Sequence, residues 1–172
     1  MNFQIQLARR VDAVPLTRSY KYIPIDNVIQ KTDRNGRVTT YEYDHLNRLK
    51  YEKWYTDQAA LDTNPGSPLE TITYHYDDNG NLARKTLLAT GNYTQYTYDA
   101  ENRLTKVEEF AAGNPTAIAN STYRYDGLGR RIEKVANGQT TRYVYDGEDI
   151  LLEYDGANVL QARYTHGPGI DE

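Results

Sequence analysis

A seven-residue signature, Tyr-Asp-x-x-(Gly/Asn/Asp)-(Arg/Asn)-(Leu/Val), recurs along this chain and constrains it more than any other feature. Copies begin at Tyr43-Asp44, Tyr76-Asp77, Tyr98-Asp99, Tyr125-Asp126, Tyr145-Asp146 and Tyr154-Asp155, with weaker ones at Tyr22-Ile23 and Thr32-Asp33. Self-similarity of this kind marks a repeat architecture, so function has to be read from the array and not from one residue. The fifth slot reads Asp26, Gly36, Asn47, Gly80, Asn102, Gly129, Asp149 and Asn158, all residue types that tolerate a left-handed backbone. An Asp at the second slot can accept hydrogen bonds from backbone N–H groups just downstream, and a left-handed residue three later closes a type I turn with a bulge. Each copy therefore predicts a tight turn.

The residues ahead of the turns predict strands. They read Tyr41-Glu42-Tyr43, Tyr74-His75-Tyr76, Tyr96-Thr97-Tyr98, Tyr123-Arg124-Tyr125 and Tyr143-Val144-Tyr145, with Tyr20-Lys21-Tyr22 as a sixth. Extended side chains alternate between faces, so each Tyr pair shares one face while Glu42, His75, Thr97 and Arg124 take the other. Successive second slots lie 9 to 33 residues apart, and other turn signals fall between several of them: Thr90-Gly91-Asn92, Ala112-Gly113-Asn114-Pro115 and Asn137-Gly138. The expected fold is all-β: an antiparallel β-meander of tandem hairpins, with Tyr-Asp turns along one edge and variable turns along the other. Strands of such a sheet are rotated against their neighbours, so the strip curls or spirals. The longest insertion, residues 56–68, is expected to project as a loop in which Asp57-Gln58-Ala59-Ala60-Leu61 forms a helical turn. Residues 1–19 carry no repeat and read as a leader or edge segment, leaving 20–172 as the repeat strip.

Composition narrows the function. There are 17 tyrosines against two Phe and one Trp, and hydrophobic residues make up 38% of the chain. Tyrosine must supply much of the buried area, with an apolar ring and a hydroxyl that needs a partner. The net charge is −4, with acidic and basic residues interspersed, which argues against nucleic acid and anionic membranes as partners. Cysteine is absent, so no disulfide, thiolate metal site or Cys nucleophile exists. The first ten residues have no apolar signal-peptide region, and no apolar run long enough to span a membrane follows.

No catalytic, cofactor or metal residue is assigned. The repeated aspartates are expected to cap turns, not to act as acids. Asp33-Arg34-Asn35-Gly36 and Asp77-Asp78-Asn79-Gly80 resemble calcium loops but lack the closing Glu. His45, His75 and His166 have no zinc spacing. Asn92-Tyr93-Thr94 and Asn120-Ser121-Thr122 fit a glycosylation sequon. The structural residues are Tyr43, Asp44, Asn47, Tyr76, Asp77, Gly80, Tyr98, Asp99, Asn102, Tyr125, Asp126, Gly129, Tyr145, Asp146, Tyr154 and Asp155. The Tyr rows have two readings. In one they form cross-strand ladders, each pair contributing roughly 0.2–1 kcal/mol. In the other, Tyr41, Tyr43, Tyr74, Tyr76, Tyr96, Tyr98, Tyr123 and Tyr125 stack on sugar rings as a carbohydrate-binding surface.

These motifs, with Arg142-Tyr143-Val144-Tyr145-Asp146-Gly147, Leu151-Leu152-Glu153-Tyr154-Asp155 and the run Ala162 to Glu172, resemble the RHS (rearrangement hot spot) or YD-repeat family. That family is related to toxin-complex shells and, more distantly, to teneurins. The resemblance covers about residues 20–172. It implies a β-strip that spirals into a hollow shell enclosing a toxin, with this chain a piece ending at the start of the RHS-associated core. No residue here matches that core's self-cleavage aspartates, so neither autoproteolysis nor toxicity carries over. The implied function is a non-enzymatic module that encloses or presents a toxin or other polypeptide; the alternative is an extracellular carbohydrate-binding module. The implied partners are other shell segments or a toxin, with self-association through sheet edges as a hazard. The implied location is secreted or at a bacterial cell surface after a cytoplasmic stage, without a recognisable signal peptide in this chain.

Overall fold

A computed structural model describes residues 18–24 and 26–165. Most of the expected leader, and the stretch from His166 to Glu172, lie outside the described residues. The chain divides into two compact units, Met1–Thr71 and Ile72–Glu172.

In the first unit, β1 (Ser19–Tyr22), β2 (Val28–Thr32), β3 (Val38–Tyr43) and β4 (Leu49–Tyr55) pair antiparallel in chain order, followed by the short helix α1 (Gln58–Thr63). The second unit opens with β5 (Glu70–Tyr76), which starts two residues ahead of the boundary, then β6 (Leu82–Leu87), β7 (Tyr93–Tyr98) and β8 (Leu104–Phe110). It continues through β9 (Ala119–Tyr125), β10 (Arg131–Ala136), β11 (Gln139–Asp146), β12 (Asp149–Asp155) and β13 (Leu160–Arg163). Each of these is again antiparallel to the next. The all-β antiparallel meander of hairpins is thus the observed fold. The face alternation holds too: Glu42, His75, Thr97, Arg124 and Val144 are exposed while the tyrosines flanking them are half-buried.

Every turn headed by Tyr carries a one-residue slip on its return strand. Tyr43 pairs with Leu49 but Glu42 pairs with Tyr51, and Tyr98 pairs with Leu104 but Thr97 with Lys106. The same slip sits at Tyr22, Tyr76, Tyr125, Tyr145 and Tyr154. The β2–β3 hairpin, headed by Thr32, pairs Thr32 with Val38 and Lys31 with Thr39 and has none. Because the side-chain period is two, an inserted residue moves everything beyond it to the opposite face. The return strands therefore do not read as simple alternations in sequence.

Two expectations about the turns need correcting. Consecutive signatures 9 to 11 residues apart are separated by a single strand, so an antiparallel meander must place them at opposite edges. The turns at Asp33 and Asp155 accordingly lie on the edge expected to carry only variable turns. The Tyr145-Asp146 copy also closes early: Asp146 pairs directly with Asp149, and the positive φ of 62° falls at Gly147. Asp149 is the first residue of β12 and not a turn residue.

Among the described residues only four hydrophobic side chains are buried: Val38 and Tyr55 in the first unit, Ile72 and Phe110 in the second. With so thin a core, backbone ladders and half-buried tyrosines carry much of the cohesion. The insertion after β4 folds back instead of projecting. Asp57 caps α1 by accepting from the Ala60 N–H (2.8 Å), the Tyr55 hydroxyl donates to the Pro65 carbonyl (2.7 Å), and Gln58 accepts from Gln30 Nε2 (2.6 Å).

Candidate functional site

The repeated chemistry of this chain is concentrated at its Tyr-Asp turns. At Asp44 the backbone N–H donates to the Arg48 carbonyl (2.9 Å), and the Asp44 carbonyl accepts from the Asn47 N–H (3.0 Å). Asp44 Oδ1 accepts two more backbone bonds, from Leu46 (2.9 Å) and Arg48 (3.0 Å). The four bonds close a type I turn whose last residue is left-handed, with φ of 61° at Asn47. The carboxyl bonds recur from Asn35 and Arg37 to Asp33, from Glu101 and Arg103 to Asp99, from Leu128 and Arg130 to Asp126, and from Ala157 and Val159 to Asp155. Asp77 accepts from the Asn81 N–H in the same way (2.8 Å). Positive φ occurs at Asp26, Gly36, Gly80, Asn102, Gly129 and Asn158.

The sixth-slot residue ties the second carboxyl oxygen. Arg48, Arg103 and Arg130 each donate from Nε to the Asp Oδ2 four residues back, at 2.7–2.8 Å. In the fourth copy Asn81 Nδ2 takes this place on Asp77 (3.1 Å). The carboxylates respond accordingly. The Arg48 N–H and side chain hold Asp44 below the ordinary carboxylate value. At Asp77, Asp99 and Asp126 burial pushes upward but is outweighed by bonds from Asn81, Arg103 and Arg130, so these carboxyls also sit low. A carboxyl held ionised by several donors is a poor proton carrier near neutrality, where a general acid needs a raised pKa.

The Tyr beside each Asp performs a different task. Tyr98 donates its hydroxyl to the Leu82 carbonyl (3.1 Å), Tyr125 to Leu104 (2.8 Å) and Tyr145 to Arg131 (2.9 Å); in the first unit Tyr43 donates to Val28 (2.8 Å). Every acceptor is the seventh-slot residue of the previous turn on the same edge, next to that turn's bulge. A bulge disrupts the ladder and leaves backbone groups in need of partners. Each Tyr hydroxyl supplies one to the preceding hairpin, while Asp44, Asp99 and Asp126 beside Tyr43, Tyr98 and Tyr125 close their own turns. The Thr32 hairpin has no bulge and no such Tyr.

Arginine strengthens the link between hairpins. Arg103 donates to the Asp126 carbonyl of the next turn (3.3 Å) and lies 5.1 Å from the Tyr125 ring centroid. Arg130 donates to the Gly147 carbonyl and lies 4.9 Å from the Tyr145 ring. Between the first two turns of the second unit, Asn81 donates to Asn102 (2.8 Å). The edge of this unit is thus a continuous ladder in which repeat n holds repeat n+1. Replacing Tyr125 with Phe removes one rung and orphans the Leu104 carbonyl. Thermal denaturation should show a loss of about 1 kcal/mol, whereas the ring contact with Arg103 is kept.

The upstream tyrosines Tyr41, Tyr74, Tyr96 and Tyr123 are half-buried on the same face as Tyr43, Tyr76, Tyr98 and Tyr125. Burial, the leading influence, raises the hydroxyls of Tyr41 and Tyr96, and Arg131 lies 5.8 Å from the Tyr123 ring. Tyr154 is half-buried and Tyr20 and Tyr22 are exposed. His45 and His75 are exposed and well separated in sequence, while His166 lies outside the described residues. Among the described residues no cluster of three His, Cys, Asp or Glu side chains is arranged to hold a metal. Sequence reading missed the roles of the Tyr hydroxyl and the sixth-slot Arg. The recurrence of Arg48, Arg103 and Arg130 at one slot was the available signal.

The fold and this edge define a class: an all-β repeat protein built from Asp-closed hairpins stapled by tyrosine. The family model described as RHS Repeat matches residues 24–52 and 76–109. The tRNA nuclease WapA of Bacillus subtilis is 32% identical over 155 residues, covering 85% of this chain and 6% of WapA. Toxin protein Tse5 of Pseudomonas aeruginosa is 26% identical, covering 87% of this chain and 12% of Tse5. Double-stranded DNA deaminase toxin A of Burkholderia cenocepacia is also 26% identical, over 89% of this chain and 12% of the toxin. This chain therefore spans only a small part of these relatives' lengths. The crystal structure of TcdB2-TccC3 without its hypervariable C-terminal region superposes with a TM-score of 0.60 at 16% identity, over 79% of this chain and 7% of that one. At that identity the likeness is one of fold. The chain belongs to the RHS/YD-repeat family.

Proposed function

We propose that this chain is a structural segment of an RHS-type β-shell that encloses or presents a toxin or another polypeptide outside the cell that makes it, and that it does no chemistry itself. The observation that carries the reading is the turn-edge ladder, in which each hairpin completes the one before it. That device extends a sheet repeat by repeat and commits the repeated Asp and Tyr polar groups to scaffold bonds. The relatives' names include nucleases and a deaminase, and the segment matched to this chain is a small share of each.

The test is limited proteolysis of the native polypeptide that carries this segment, with surviving peptides identified by mass spectrometry. Non-repeat sequence should survive together with the segment, and become digestible when the ladder is broken by substitution. Survival of the repeat segment alone would contradict enclosure. A nuclease or deaminase activity of the purified chain that is lost on replacing one carboxylate would contradict the non-enzymatic part.

A further inference from the structure

The chain has three Asn-Gly dipeptides, Asn35-Gly36, Asn79-Gly80 and Asn137-Gly138. In such a pair the glycine nitrogen can attack the amide carbon of the asparagine side chain, because glycine puts no Cβ in the way. All three asparagines are exposed, and the glycines have φ of 81°, 87° and 83°, so neither exposure nor glycine conformation separates them. Hydrogen bonding does.

In the first two pairs the glycine N–H closes a turn: Gly36 donates to the Asp33 carbonyl (3.1 Å) and Gly80 to the Asp77 carbonyl (3.0 Å). The nitrogen that has to lose its proton is committed there. Asn137-Gly138 is instead the whole loop of the β10–β11 hairpin, between the paired residues Ala136 and Gln139. Asn137 has φ of 47°, so both loop residues are left-handed, as a tight two-residue loop requires. The Gly138 N–H makes no hydrogen bond among the described residues, and a Cβ placed on Gly138 would meet nothing within 4 Å. The asparagine side chain differs as well. Asn137 Oδ1 accepts from the Asn120 N–H (3.1 Å), while the Asn137 N–H donates to the Asn120 carbonyl (2.9 Å). No donor reaches Oδ1 of Asn35 or Asn79 among the described residues. A donor on that oxygen stabilises the negative charge that collects there when the amide carbon is attacked. Water has room beside Asn137, in a cavity of about 70 Å³ lined also by Glu109, Asn120 and Ser121, more than one water needs.

We propose that Asn137 is a modification site, the Asn-Gly asparagine that the fold selects for conversion to aspartate and isoaspartate. The Gly138 nitrogen, its proton given up to hydroxide, bonds to Asn137 Cγ; the Cγ–Nδ2 bond breaks, and Nδ2 leaves as ammonia with a proton from water. Water then opens the cyclic imide at either of its two carbonyls. The sum is one water consumed, one ammonia released and one negative charge gained. The products differ in effect. Aspartate keeps an oxygen that accepts from the Asn120 N–H, whereas isoaspartate inserts a methylene into the main chain of a two-residue loop and breaks its closure between Ala136 and Gln139. The inference concerns the chemistry of this chain alone and does not rest on the shell reading.

The experiment holds the 172-residue protein in mildly alkaline buffer, folded and, in parallel, unfolded in urea. Peptide mapping with electron-transfer fragmentation follows the three asparagines and separates aspartate from isoaspartate. In the folded protein Asn137 should react about tenfold faster than Asn35 or Asn79, the worth of about one hydrogen bond. In urea the three rates should converge. Gly138→Ala should slow the reaction at position 137 in both states and leave Asn35 and Asn79 unaffected. A cooperative melt in the incubation buffer confirms that the native sample is folded. Equal rates in the folded protein, the same ranking in urea, or an Asn137 that stays intact when folded while the unfolded chain reacts, would each overturn the proposal.

Discussion

Gly129→Val lowers the stability of the second unit by about 2 kcal/mol, within the range for a residue forced into a sparsely populated backbone region, and Gly129→Asn leaves it nearly unchanged. The prediction isolates backbone conformation from packing. Gly129 has φ of 83°, and a Cβ placed on it would meet no heavy atom within 4 Å. Any penalty for Val is therefore conformational, arising because a β-branched residue resists positive φ. The chain supplies its own control: Asn47, Asn102 and Asn158 occupy the equivalent slot with φ of 61° or 62°. Differential scanning calorimetry of the three proteins decides it. Equal melting temperatures for Val and Asn would mean that the turn does not require the left-handed residue.

Asp126→Ala removes several bonds of this edge at one stroke. It deletes the acceptor for the Leu128 and Arg130 N–H groups and for Arg130 Nε, and releases an Arg that also reaches the Gly147 carbonyl of the next turn. A fall in melting temperature of about 5–10 °C is expected for a unit of this size. Acid should imitate the substitution. The folded carboxyl sits below its ordinary value, burial being outweighed by the Arg130 bonds. Its contribution is therefore complete above the unfolded value of about pH 4 and is lost as pH falls from there toward the folded value. The gap in melting temperature between the wild type and Asp126→Ala should narrow below about pH 4. A gap independent of pH would show that the ionised carboxylate is not what closes the turn.

Much of this was legible in the sequence because both strand and turn have local causes. Tyr74-His75-Tyr76 declares a two-residue period, and Asp77 with Gly80 declares a turn, with no long-range information needed. The signature misled where a local pattern admits two closures. Tyr145-Asp146-Gly147-Glu148-Asp149 fits the seven-residue frame, but a Gly directly after the Asp permits a shorter hairpin, and the chain takes it. What the sequence concealed were contacts between repeats. That Tyr125 reaches the Leu104 carbonyl, or Arg103 the Asp126 carbonyl, depends on which hairpins are neighbours on one edge and on a bulge that no single residue announces. The fold-back of the insertion was hidden for the same reason, since Gln30 and Gln58 meet only in three dimensions. Arg37 shows the converse: it shares the slot of Arg48, Arg103 and Arg130 yet makes none of their bonds to Asp Oδ2.

If each hairpin completes the previous one, native-state hydrogen exchange on Tyr125→Phe will show it. With the hydroxyl gone, exchange should accelerate at the Leu104–Val107 amides of the preceding hairpin as well as around residue 125. Acceleration confined to residues 125–131, with the Leu104 bulge as protected as in the wild type, would contradict the ladder and leave the turns as independent local structures.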